Sequence, residues 1–139
     1  LTRVVATGTF DILHPGHVLY LSEAGKLGDE LYVIIARDST IKHKRPPLLP
    51  EDQRLYMVRA LKCVDHALLG SEDDMFKPIR EIDPDIIALG FNQHWDEVEL
   101  QKQLKEKGLK AQVMRIKKCD PSPYASSRKI RQKIKDIDC

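Results

Sequence analysis

The sequence predicts an α/β protein: a doubly wound, Rossmann-like sheet of five parallel strands in the order 3-2-1-4-5, in a single domain over residues 1–139. Three observations carry that expectation. Apolar runs of strand length alternate with helix-length stretches along the whole chain, the pattern of repeated βαβ units. The runs are continuous rather than alternating, as in Leu31-Tyr32-Val33-Ile34-Ile35-Ala36, which suits strands covered on both faces. Each connection is long enough for a right-handed crossover, and the doubly wound order follows.

The elements follow in chain order. A first strand over residues 3–7 leads through a polar glycine turn into a helix over 16–27. That helix offers Leu19, Leu21 and Leu27 for burial, and Gly28 fits the C′ position after it. Strand two spans 31–36 and is followed by a polar, basic loop over 37–50. Glu51 and Asp52 place acidic groups in the first turn of a helix reaching residue 62. Strand three is 66–69; Gly70-Ser71-Glu72-Asp73 caps a helix that ends at Ile82, before Asp83-Pro84. Strand four is 86–89, followed by the loop Gly90-Phe91-Asn92-Gln93-His94-Trp95 and a helix over 96–107 closed by Gly108. Strand five is 111–116, and a last helix spans 126–137.

Composition narrows the function. The 42% hydrophobic and 32% charged residues are those of an ordinary globular domain with a sizeable core. A net charge of +2 suits an anionic small molecule and lacks the strong basic stripe of a nucleic-acid binder. No apolar run approaches the ~18 residues of a membrane span, and no leader peptide is expected before the first strand. Cys63, Cys119 and Cys139 are too few and too dispersed for a zinc knuckle or a disulfide framework. Free thiols in the reducing cytoplasm are expected.

The most informative stretch is Thr7-Gly8-Thr9-Phe10-Asp11-Ile12-Leu13-His14-Pro15-Gly16-His17. A strand, a glycine turn and a helix N-terminus in that order make an anion cradle of free N–H groups and aligned dipole. His14 and His17 are spaced to aim at one anion. Two histidines alone make an incomplete metal site, and the sequence has no H-E-x-x-H motif. The stretch is neither a G-x-G-x-x-G dinucleotide turn nor a P-loop. In the expected strand order it lies beside the loop after strand four, at the switch point where ligands bind such sheets. There the Asn92 amide can reach a ribose or base edge, or simply form a turn.

At these residues the sequence resembles a known family. Gly8 through His17 is similar to the signature of the HIGH-type nucleotidyltransferase superfamily, cytidylyltransferase-like branch. Ala125-Ser126-Ser127-Arg128-Lys129-Ile130-Arg131 is similar to that family's second motif, so the resemblance brackets nearly the whole chain. It implies attack of a phosphate oxygen on the α-phosphorus of a nucleoside triphosphate, with loss of pyrophosphate. An attacking phosphate is already ionised near neutral pH, so catalysis reduces to positioning and charge stabilisation.

The resemblance implies His14, His17, Lys44 and Arg131 as catalytic residues, the histidines donating to α- and β-phosphate oxygens. Lys42, Lys44 and Arg45 look like the basic loop over the leaving pyrophosphate. Nucleotide binding would fall to Thr9, Phe10, His14, Pro15, Gly16, His17, Asn92, Tyr124, Ser126 and Ser127. Ser126 and Ser127 begin a helix and fit either a second anion site or a plain N-cap. Asp11 and Arg54 would meet the acceptor phosphate. A divalent cation, magnesium first, is expected on the triphosphate, with no protein metal ligands. Cys63-Val64-Asp65-His66-Ala67 resembles the segment such proteins use to form homodimers, so a homodimer is expected, with small-molecule substrates and no nucleic-acid or membrane partner.

Pro121 stands where glycerol-phosphate cytidylyltransferases, otherwise similar, carry an arginine. Ala36-Arg37-Asp38, residues 50–54, Leu89-Gly90-Phe91-Asn92-Gln93 and the cysteines near the C-terminus resemble archaeal FAD synthases more closely. Those are single-domain FMN adenylyltransferases that use ATP. The expected reaction is AMP transfer from ATP to FMN. Sugar- or glycerol-phosphate nucleotidyl transfer is the alternative, and a non-catalytic nucleotide-binding module stands further off.

Overall fold

The computed structural model describes residues 1–41 and 45–138. The elements are β1 (Arg3–Gly8), α1 (Pro15–Gly25), β2 (Glu30–Ile35), α2 (Glu51–Arg59), β3 (His66–Leu69), α3 (Phe76–Ile82), β4 (Ile86–Leu89), α4 (Glu97–Glu106), β5 (Gln112–Arg115) and α5 (Ser127–Asp138). The strands form one sheet in the order β3-β2-β1-β4-β5, every pair parallel, as the sequence predicts.

The period of two along each strand divides the core between two faces. Val4 and Ala6 of β1 join Leu31, Val33 and Ile35 of β2 against Leu21 and Ala24 of α1 and Val58 of α2. Val5, Ile34, Ile87 and Leu89 face the other way, onto Phe76, Ile79 and Ile82 of α3 and Leu100 and Leu104 of α4. Both faces are covered, so the strands read as unbroken apolar runs. Leu21 is fully enclosed, and truncating such a residue to alanine costs about 2–5 kcal/mol.

Helix ends follow local chemistry. Pro15 opens α1, where its missing N–H costs nothing. The helix ends at Lys26 in ordinary helical geometry, so Gly28 is not the left-handed cap its position suggested. A Cβ at Gly28 would lie 2.7 Å from the Thr2 carbonyl oxygen, and close backbone approach is what demands glycine there. The expected helix after Gly70 starts only at Phe76. Ser71 Oγ accepts from the Asp74 N–H, and the Asp74 carboxylate from the Phe76 N–H, so side chains hold the backbone in a turn first. Asp96 caps α4 by accepting from the N–H groups of Val98 and Glu99.

Candidate active site

Where β1 ends, Gly8, Thr9, Phe10 and Asp11 turn the chain over the carboxyl edge of the sheet. Phe10 takes a left-handed backbone (φ 54°) and buries its ring beneath the turn. A Cβ on Gly8 would come within 2.9 Å of that ring, so the turn closes only over glycine. The Phe10 ring meets His17 edge-on, centroids 5.2 Å apart.

His14 is the N-cap of α1, its Nδ1 accepting from the Gly16 N–H at 3.1 Å. With Nδ1 an acceptor, the neutral ring carries its proton on Nε2, ready to donate outward. Burial lowers the His14 pKa, against the pull of Asp120. His17 stacks on His14 with centroids 3.7 Å apart. Burial first, and His14 second, push His17 down to about 3, while Asp11 pulls the other way. Its Nδ1 is enclosed and has no hydrogen-bond partner among the described residues. Both rings are therefore neutral near pH 7.

Gly16 brings the two sequence motifs together. A Cβ there would lie 2.8 Å from the Ala125 carbonyl oxygen and 2.9 Å from the His14 ring. The chain entering α5 thus runs directly against the start of α1. Ser126 Oγ accepts from the Lys129 N–H, an N-cap bond, and Ser127 opens α5. Two helix N-termini converge on one place, which suits a polyanion.

Asp11 and Arg54, expected at the acceptor phosphate, are both tied into the surrounding chain. Asp11 is buried, its carboxylate accepting from Leu48 N–H (3.0 Å), Leu49 N–H (2.9 Å) and the Arg131 guanidinium (2.5 Å). Burial works to raise its pKa, but the two amides and Arg131 outweigh it and hold it below the ordinary carboxylate value. An anion so placed orients Arg131. Arg54 is fully enclosed and donates to the carbonyls of Leu49, Thr9 and Ala36 and to the Asp38 carboxylate. These bonds tie together the loops after β1 and β2.

Asn92 lies exposed in a tight turn closed by Gln93 N–H to Gly90 O at 3.2 Å. Pro15 and Tyr124 are exposed beside the two helix starts. Lys42 and Lys44 lie outside the described residues. Among the described residues no group of three or more His, Cys, Asp or Glu is assembled to hold a metal.

Three organising residues escaped the sequence reading. Tyr20, on α1, accepts from the Thr7 N–H (3.2 Å) and donates to Ala88 O (2.6 Å), bridging β1 and β4 at the switch point. Burial raises its pKa well above the usual phenol range. Gln93 donates to Thr7 O at 2.7 Å. Arg115 grips the loop after β4. All three act through backbone groups, which no side-chain motif announces.

A cytidylyltransferase-like family model matches residues 5–133, and the chain belongs to that family, as a nucleotidyltransferase. Within it, the chain is 84% identical to the FAD synthase of Methanocella paludicola over 139 residues, all of both proteins. It is 74% identical to the FAD synthase of Methanocella arvoryzae, covering 98% of this chain and 97% of that protein. Among solved structures, the lipopolysaccharide core biosynthesis protein from Thermoplasma volcanium superposes with a TM-score of 0.82 at 50% identity, covering 86% of this chain and 98% of that one.

Proposed function

We propose that this chain transfers AMP from ATP to the terminal phosphate of FMN, giving FAD and pyrophosphate. A phosphate oxygen of FMN forms the new bond to the α-phosphorus of ATP. The bond from the α-phosphorus to the bridging oxygen breaks, and pyrophosphate leaves with its electron pair. The observation that carries the chemistry is the stacked, neutral His14–His17 pair at the start of α1, against the entry to α5. Full-length identity to FAD synthases supports the acceptor.

His14 Nε2–H and the His17 ring donate to α- and β-phosphate oxygens as charge grows there. The positive ends of the α1 and α5 dipoles face further oxygens, with Thr9, Phe10, Pro15, Gly16, Tyr124, Ser126 and Ser127 around the nucleotide. Arg131 is held toward the same place by Asp11. Asn92 meets the adenosine, and Lys44 covers the pyrophosphate. A divalent cation would supply charge neutralisation at the triphosphate when bound. A homodimer through residues 63–67 completes the reading.

The test pairs ATP or CTP with FMN or glycerol-3-phosphate and follows pyrophosphate release. Release with ATP and FMN alone is expected. Release with CTP and glycerol-3-phosphate instead returns the sugar- or glycerol-phosphate alternative, and nucleotide binding without release returns the non-catalytic module.

A further inference from the structure

At the carboxyl end of β4 the chain does something the chemistry at the histidines does not require. Residues 90–96 form a loop with exposed Phe91 and Trp95 (53% and 37%) and exposed Asn92. Such a loop is ordinarily mobile. Here it is held from β5 by Arg115 and from within by Gln93, above a Tyr20 bridge between β1 and β4.

Arg115 is the first pin. It ends β5 opposite Leu89, the last residue of β4, so its guanidinium reaches over the loop that follows. Nη1 donates to Gly90 O and Gln93 O, both at 2.8 Å, and Nη2 to Trp95 O at 2.7 Å. Nε donates to the Glu97 carboxylate at 2.8 Å. One planar fork serves three loop carbonyls and a carboxylate, which a lysine ammonium cannot reproduce. Gln93 is the second pin: its amide oxygen accepts from Gly90 N–H and its Nε2 donates to Thr7 O, both at 2.7 Å. Beneath the loop Tyr20 accepts from Thr7 N–H and donates to Ala88 O, where the pairing of β1 with β4 stops at Ala6 and Ala88. These side chains replace strand pairing at the switch point and fix the distance from the loop to the histidine turn.

We propose that Arg115 and Gln93 are positioning residues for recognition of the nucleotide base, presenting loop 90–96 as a preformed surface. The histidine turn and loop 90–96 leave the carboxyl ends of the neighbouring strands β1 and β4, joined by the bond from Gln93 to Thr7. A nucleotide with its phosphates at the start of α1 would therefore have this loop beside it. Exposed aromatic faces suit a flat heterocycle, and the Asn92 amide supplies one donor and one acceptor for a base edge. Rigidity converts those groups into discrimination, because a preformed loop does not spend binding energy on ordering itself. This proposal rests on the reading of the site as a nucleoside triphosphate site and is independent of the acceptor.

The test uses the full chain with Arg115→Met and, separately, Gln93→Met, which removes both loop bonds without touching β5. Binding of ATP and CTP is measured by calorimetry without acceptor, and KM and kcat are measured with FMN. Each variant is expected to weaken ATP binding about tenfold and shrink the preference for ATP over CTP. The KM for FMN and kcat stay within about threefold, since the base is held equally in ground and transition states. Arg115→Lys is expected to recover little of the loss. Thermal midpoints separate a misfolded variant from a mispositioned loop. Unchanged ATP affinity in folded variants overturns the proposal. So does a loss shared equally by ATP and CTP, or a rise in KM that falls on FMN. A wild-type chain that binds ATP yet makes no FAD overturns the acceptor reading alone; one that binds neither nucleotide overturns both.

Discussion

His14 and His17 lie face to face, ring centroids 3.7 Å and planes 23° apart, with the His17 Nδ1 enclosed and unpartnered. Burial keeps both rings neutral in the free protein, and at His17 the neighbouring His14 adds to it. Each ring then offers one N–H, His14 from Nε2, to charge that grows on a phosphate oxygen.

From this follows the expected behaviour of His17→Ala. Turnover falls by about 10²–10³, the usual loss on removing one donor to developing charge. ATP affinity falls far less. Comparing kcat with a directly measured Kd for ATP checks this, and equal losses in both contradict a transition-state role.

Stability should depend on pH between the two pKa values of His17. Its folded value, about 3, lies below the ordinary histidine value of 6.5, so the unfolded chain binds the extra proton in that window. Stability is therefore full above about pH 6.5 and declines as pH falls toward 4. His14 adds in the same direction. Asp11, held below its ordinary 3.8, loses its contribution only at lower pH. Thermal midpoints between pH 7 and 4 are expected to slope downward, and His17→Gln to flatten much of that slope.

Asp11 and Arg131 are expected to couple strongly. Asp11→Asn leaves an acceptor for one amide but removes the charge that orients the guanidinium. A double-mutant cycle on kcat/KM with Arg131→Gln should give an interaction of about 1–3 kcal/mol. Strictly additive losses show that Asp11 acts elsewhere.

Arg54→Ala should be among the most destabilising single changes, about 3–5 kcal/mol by urea unfolding, the range for breaking a buried charged network. Arg54→Lys recovers little, since one ammonium cannot serve three carbonyls and a carboxylate lying in different directions. If Arg54 instead gripped the acceptor, the lysine variant would keep its stability and raise the KM for FMN.

The strand order was legible because burial on both faces writes itself into continuous apolar runs, and crossover handedness leaves few topologies. The turn from Gly8 to His17 was legible because glycines and histidines occur there for reasons of space and charge. Helix starts were less so: the onset of α3 depends on Ser71 and Asp74 outcompeting a helix for the same N–H groups. The bonds of Arg54 to backbone carbonyls were hidden for a related reason, since only the folded chain brings the loops after β1 and β2 to its guanidinium. Tyr20, Gln93 and Arg115 stayed hidden because a side chain that grips backbone carbonyls leaves no partner signature in sequence.

The contact between Asp11 and Arg131 joins residues 120 positions apart. α5 places none of its described residues in either core cluster, so the tie that completes the site hangs on a helix the core does not hold. Mild denaturant is expected to release that helix, and activity with it, before the sheet gives way.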